Sequence, residues 1–279
     1  MTATAGSNPQ ERLSALHIHI VTLFPRLFQS WLEQGVVSRA LQRGIVSLQL
    51  TNLREFGVGK HQVTDDYAFG GGPGMVMKPE PLFDAVDALR LLPDTPIVLL
   101  SPQGRTFDQR VAEELARLPT FVLLAGHYEG VDERVREHLA TEELSIGDYI
   151  LSSGELAAMV IADATVRLLP GALADDSAAE ESFSTGLLEY PQYTRPANFR
   201  GWQVPEILLS GHHGAIARWR REQALRRTFL RRPELIDEGM LHPEERTMLD
   251  HWRRTTADDE KGSLRLAEGH LRSDKPEDT

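Results

Sequence analysis

Between residues 16 and 125, short apolar runs alternate with amphipathic stretches. Leu16, Ile18 and Ile20 alternate with His17, His19 and Val21 in a first strand over His17–Phe24, and Pro25 then opens an apolar helix running towards Arg43. Ile45–Leu50 reads as a second strand, Pro79–Leu91 as a helix, Ile97–Leu100 as a strand, Phe107–Leu118 as an amphipathic helix and Phe121–Ala125 as a further strand. Strands that are apolar on both faces and alternate with helices predict an α/β fold with a mostly parallel sheet covered on both sides. Ligands on such a sheet gather at the carboxyl ends of the strands. Those ends are Ser101–Gly104 and Gly126–Gly130, and a helix over Leu156–Ala162 follows them.

Changes in composition divide the chain. Residues 1–15 read as a loose extension and 16–171 as the main domain. Residues 172–190, small and acidic at first, read as a linker or lid; 191–257 form a basic second domain and 258–279 a polar tail. The chain of 279 residues has no cysteine, which removes disulfides, thiolate nucleophiles and cysteine-based zinc sites together. It has no N-terminal targeting pattern and no apolar run near the roughly 20 residues of a membrane span, so a cytoplasmic location is expected. The net charge of −11 argues against a nucleic-acid partner until its distribution is followed. Residues 126–190 hold fourteen Asp/Glu against three Arg, whereas 195–232 hold nine Arg and no Lys against two Glu. Planar guanidinium groups suit bidentate phosphate contacts. Arg195, Arg220 and Arg227 are therefore candidates for RNA binding, favoured over a merely solvated basic helix.

Candidate chemistry concentrates in three glycine-containing segments. Gly70-Gly71-Gly72-Pro73-Gly74 is either a loop that brings backbone close to a ligand or a tight turn, and it lacks the spacing of a P-loop. In Gly126–Gly130, Glu129 can accept hydrogen bonds from an amino or hydroxyl group, while Asp132 and Glu133 cap the next helix. His127 has no partner at metal-ligand spacing; the pairs His17/His19 and His212/His213 likewise assign no metal. Ser145–Glu155 mixes Ile146, Ile150 and Leu151 with backbone-exposing residues, a wall for a flat group such as adenine, or else a strand–turn–helix joint capped by Ser152 or Ser153. Arg167 could stabilise negative charge on a substrate oxygen, and Glu180 or Glu181 could act as a general base, against the alternative of a solvated acidic linker.

The ordered set of segments resembles bacterial tRNA (guanine-N1)-methyltransferases of the SPOUT class. Its members are Thr22-Leu23-Phe24-Pro25, Val63-Thr64-Asp65-Asp66 with the glycine loop to Met75, Leu100–Arg105, Gly126–Arg134, Ser145–Glu155, Tyr193-Thr194-Arg195-Pro196, Val204–Gly211 and Leu230–Leu235. The resemblance implies a SPOUT-type, mostly parallel sheet with a C-terminal trefoil knot, followed by a small helical domain. It implies S-adenosyl-L-methionine as methyl donor, held by Leu100, Ser101, Gly126, Ile146, Gly147, Asp148, Tyr149, Ile150 and Leu151. Glu129 would lie near the methionyl end and the target guanine. The family's base falls on Glu181 and its O6-stabilising arginine on Arg167. Mg2+, an obligate homodimer with a composite site, and the tRNA anticodon branch as partner are implied as well. The target would be the guanosine immediately 3′ of the anticodon when another guanosine precedes it.

Two positions depart from the family pattern: Glu181 stands where aspartate is commoner, and Ser153 replaces the first glycine of Gly-Gly-Glu. His127 stands where many relatives have arginine and others histidine, a tolerated variation. The rival readings are a ribose 2′-O-methyltransferase on the same scaffold and a non-catalytic RNA-binding protein.

Overall fold

A computed structural model of the chain describes residues 15–173, 182–183 and 186–255. Two compact units divide it, Met1–Ala178 and Ala179–Thr279.

In the first unit the elements follow in the order β1 (Leu16–Thr22), a 3-10 turn (Pro25–Phe28), α1 (Gln29–Glu33), α2 (Gly35–Gln42), β2 (Val46–Asn52), β3 (Asp65–Asp66), β4 (Val76–Met77), α3 (Pro79–Ala88), β5 (Ile97–Thr106), α4 (Gln109–Ala116), β6 (Thr120–Ala125), α5 (Glu133–His138), β7 (Glu142–Ser145) and α6 (Glu155–Val166). Five of the strands form one parallel sheet in the order β2-β1-β6-β5-β7. The alternation in β1 is realised on its two faces. Leu16, Ile18 and Ile20 enter a core with Val37 and Ala40 of α2 and Ile161 of α6. Val21 and Leu23 enter a second core with Leu82 and Val86 of α3. Full burial of a Leu, Ile or Phe side chain stabilises by about 1.5–3 kcal/mol. These two layers therefore fix which strand ends lie together.

Two elements differ from the sequence expectation. The helix from Pro25 towards Arg43 is broken into the 3-10 turn, α1 and α2, because Gln34 is extended (φ −136°, ψ 160°) and Gly35 takes φ +81°. The strand expected to stop at Leu100 runs on to Thr106. Both Leu100 and Arg105 are paired with Leu144 of β7, so the segment between them leaves the ladder and rejoins it. Ala172, assigned by composition to the linker, is buried in the first core and donates its N–H to the Leu169 carbonyl at 3.0 Å.

The second unit contains the hairpin β8 (Asn198–Phe199) and β9 (Trp202–Gln203), then α7 (Glu206–Leu209) and α8 (His213–Arg231). Its core gathers Leu187, Ala224, Leu225, Leu241 and Leu249, with Tyr190, Phe229 and Trp252 packed against them. Arg221 grips Glu245 with two hydrogen bonds, Nε to Oε1 at 2.7 Å and Nη2 to Oε2 at 3.3 Å, and the His242 N–H also donates to Oε2. Burial pushes the Glu245 carboxyl up, but these donors outweigh it and hold the group below the ordinary carboxylate value. Among the described residues, no helix is long and apolar enough to cross a membrane.

Candidate functional site

The carboxyl ends of β5, β6 and β7 surround a cavity of about 510 Å3 in the first unit, within the size range of small-molecule sites. Leu100, Ser101, Pro102 and Gln103 form one wall, Gly126–Val131 a second, and Ser145–Gly147 with Tyr149–Gly154 a third. Of the nine residues expected to bind the donor, Leu100, Ser101, Gly126, Ile146, Gly147, Tyr149, Ile150 and Leu151 line it, and Asp148 does not.

Close backbone approach builds the walls. A Cβ on Gly154 would stand 2.7 Å from the Gly126 nitrogen and 2.9 Å from the Ala125 Cα, and the Gly154 N–H donates to the Gly126 carbonyl at 2.7 Å. At Gly104, where β5 rejoins β7, a Cβ would stand 2.5 Å from the Glu143 carbonyl carbon and the Leu144 nitrogen. Only glycine lets these backbones touch. The loop after β7 is folded upon itself. Ser145 Oγ accepts from the Gly147 N–H at 3.2 Å and donates to the Gly147 carbonyl at 3.1 Å, and the Tyr149 hydroxyl donates to the Ile146 carbonyl at 3.3 Å.

The glycine loop is tied to the β6 turn. The Glu129 N–H donates to the Met75 carbonyl, the Met77 N–H to the Gly130 carbonyl and the Asp132 N–H to the Met77 carbonyl. A Cβ on Gly74 would stand 2.5 Å from Glu129 Cγ and Oε1, so the glycine makes room for that carboxylate. Among the described residues, Glu129 is the one carboxylate residue lining the cavity. Arg136, which also lines it, is paired with Glu143 at 2.8 Å and Glu133 at 2.9 Å. Tyr128 takes φ +58°, and its ring meets that of His127 edge to face at a centroid distance of 4.5 Å. Burial, then the negative charge of Asp65, pushes the Tyr128 phenol above its ordinary value. His127 also packs against Phe24, and its backbone N–H points to Met77 sulfur at 3.1 Å.

Other expected roles are distributed differently. The Asp132 side chain caps α5 by accepting from the Arg134 N–H, as expected. The cap of α6 is Gly154 without a side-chain hydrogen bond, which corrects the assignment of Ser152 or Ser153. Ser153 takes no positive φ, so its replacement of a glycine imposes no left-handed strain. Arg167 sits at the opposite end of the twelve-residue α6 from Gly154 and does not line the cavity. That length is roughly 18 Å of helix. Glu180 and Glu181 lie outside the described residues. In the second unit, Arg195 and Arg220 line a separate cavity of about 390 Å3, with Arg220 over the Tyr190 ring at 4.7 Å. Arg227 does not line it and donates to the Glu189 carbonyl at 3.2 Å. The His212 ring accepts from the Ala215 N–H and caps α8.

Sequence reading missed one pair. Glu155, fully buried at the start of α6, accepts a 2.7 Å hydrogen bond from the Thr22 hydroxyl, which itself accepts from the Phe24 N–H. The bond joins the end of β1 to the helix behind the cavity. Among the described residues, the second Glu155 oxygen has no hydrogen-bond partner. An acidic residue in the first helical turn reads as a dipole complement on the surface, so nothing local marked it as buried.

These features define an α/β protein that presents backbone-lined walls to a ligand at the carboxyl ends of a parallel sheet. The chain belongs to the tRNA (Guanine-1)-methyltransferase TrmD family, whose model matches residues 16–238. A protein of Halalkalibacterium halodurans named tRNA (guanine-N(1)-)-methyltransferase is 55% identical over 242 residues, covering 86% of this chain and 98% of the relative. Proteins of the same name from Geobacillus kaustophilus and Moorella thermoacetica are each 54% identical, over 241 and 245 residues. The first alignment covers 86% of this chain and 99% of the relative, the second 86% and 97%.

Proposed function

We propose that this chain transfers a methyl group from S-adenosyl-L-methionine to N1 of a guanine in tRNA. The target is the guanosine immediately 3′ of the anticodon when another guanosine precedes it. The single observation that carries this reading is the family match over residues 16–238, within which the donor-pocket candidates converge on one cavity. When bound, the donor supplies a methyl group already activated on a sulfonium. The residues fit it: Leu100, Ile146, Ile150 and Leu151 offer apolar contact, and the Gly126 and Gly147 turns bring main-chain groups to the rim. The excursion of β5 between Leu100 and Arg105 and the seating of Gly154 on Gly126 support a trefoil-knotted SPOUT pocket.

Guanine N1 carries a proton and is a poor nucleophile. A carboxylate must remove that proton while a cation stabilises the charge moving to O6. Glu181 takes the first role, with Glu180 as its alternative, and Arg167 the second; Glu129 orients the guanine beside the methionyl end. The distance of Arg167 from the cavity along α6 favours a homodimer in which Arg167 and the lid of one copy complete the pocket of the other. Arg195, Arg220 and Arg227 belong to a small helical domain that holds the anticodon branch through its phosphates. The reaction belongs to the cytoplasm, where tRNA is matured. Among the described residues, no three His, Asp or Glu side chains gather to hold a metal. No residue is assigned to Mg2+, which is commonly held by one or two carboxylates together with substrate phosphates, and no step runs through it.

Incubation with labelled donor and a tRNA carrying guanosines at the last anticodon position and the next one tests the reading. Label at N1 of the latter is expected; label on a ribose 2′-oxygen would establish the sugar methyltransferase instead, and no label in a folded dimer would refute both. Glu181→Gln should slow transfer at least 100-fold, the loss expected for a general base, with donor affinity kept. An unaffected rate would move the base to Glu180.

A further inference from the structure

We infer that the β8–β9 hairpin is a stacking platform for an unpaired nucleobase of the RNA substrate. The inference rests on the proposed tRNA reading and adds a recognition element to it. Phe199 and Trp202 face each other across the hairpin register and are 54% and 70% exposed. Their ring centroids lie 6.2 Å apart, tilted by 47°. Between them in sequence, Arg200 lays its guanidinium over the Phe199 ring at 5.2 Å. Two π-faces and one planar cation are thus held together at the tip of a two-residue turn.

The turn orders the backbone that carries them. Arg200 and Gly201 take φ +55° and +87°, the left-handed pair of a type I′ hairpin. The Gly201 N–H donates to Asn198 Oδ1 at 3.0 Å, and the Val204 N–H to the Ala197 carbonyl at 2.9 Å. A backbone ordered in this way leaves less entropy to be lost when a ligand stacks on the rings it carries, which favours binding. An apolar protein partner would leave the Arg200 charge desolvated. A nucleobase satisfies the rings while its own phosphates answer the guanidinium. The surroundings agree in charge: residues 195–232 carry a net +7, from nine Arg and two Glu. Ala197 and Val204, at the root of the hairpin, also line the cavity that Arg195 and Arg220 share, so cationic groups continue from the platform.

The test uses the full chain and an anticodon stem–loop RNA carrying 2-aminopurine at an unpaired position. Wild type is expected to quench the fluorophore on binding. Trp202→Ala should raise Kd about tenfold, within the range for losing one base stack, and leave the slope of log K against log salt unchanged. Arg200→Ala should reduce that slope by about one phosphate contact. Trp202→Phe, which keeps a ring, should recover most of the affinity and covers the case in which Trp202→Ala fails to fold. S-adenosylhomocysteine affinity should be the same in all. Wild-type affinity in Trp202→Ala and Phe199→Ala would overturn the inference. So would dissociation of copies in sedimentation with RNA affinity unchanged, which would mark the platform as a contact between copies. If wild type methylates tRNA while the variants bind RNA as wild type does, only the platform fails; if wild type neither binds nor methylates tRNA, the proposed function fails first.

Discussion

Replacing Gly154 by alanine adds one methyl group at the point where two pocket walls touch. Its Cβ would meet the Gly126 nitrogen at 2.7 Å and the Ala125 Cα and carbonyl carbon at 2.9 and 3.1 Å. All three are backbone atoms, so no rotamer change relieves the contact. The nitrogen contact reaches 3.4 Å only if the chains part by about 0.7 Å, which stretches the 2.7 Å hydrogen bond from the Gly154 N–H to the Gly126 carbonyl. Overpacking of this kind costs about 1–3 kcal/mol and a weakened hydrogen bond up to about 1 kcal/mol. The backbone φ of −77° suits alanine, so reduced unfolded-state entropy returns about 0.4–1 kcal/mol. The net loss is about 2 kcal/mol, a fall in Tm on the order of 5 °C for a unit of this size. Because Gly126 and Gly154 both line the cavity, S-adenosylhomocysteine affinity by calorimetry should fall at least tenfold. Gly214→Ala is the control: its Cβ meets nothing closer than 3.8 Å in the first turn of α8, and it should stabilise slightly without touching donor binding. A Gly154→Ala protein with wild-type Tm and donor affinity would refute the close-approach account of the pocket.

Two further outcomes concern stability. The Glu245 carboxyl is held below its ordinary value by Arg221 and the His242 N–H, against the effect of burial. Its stabilisation is therefore complete above the unfolded value of about 4.3 and is lost as pH falls through the lower folded value. Thermal melts from pH 6 to 3 should show a decline that Glu245→Gln flattens, and an equally steep decline in the variant would place the acid sensitivity elsewhere. Thr22→Val keeps the volume of the side chain but removes the donor to the buried Glu155 carboxylate. Denaturant unfolding should show a loss of about 1–3 kcal/mol, with Thr22→Ser far milder; equal stability of the Val and wild-type proteins would deny that bond a structural role.

The sequence alone determined the class of the fold and the segments that line the cavity, because both follow from local signals. Apolar strands alternating with amphipathic helices dictate a covered parallel sheet, and Gly126, Gly130, Gly147 and Gly154 mark where its strand ends open. The ordered segments from Thr22 to Leu235 carried the family on the same basis. What the sequence could not express were relations between distant positions. The break at Gln34–Gly35 depends on how α1 and α2 meet the sheet, and the run of β5 beyond Leu100 depends on a second pairing with Leu144. The burial of Glu155 against Thr22 joins residues 133 apart in sequence. Gly74 accommodates Glu129 only because β4 and the β6 turn exchange hydrogen bonds. Periodicity reports which face of an element is apolar; which other chain that face or glycine touches is set by packing many elements at once, and that only the tertiary structure decided.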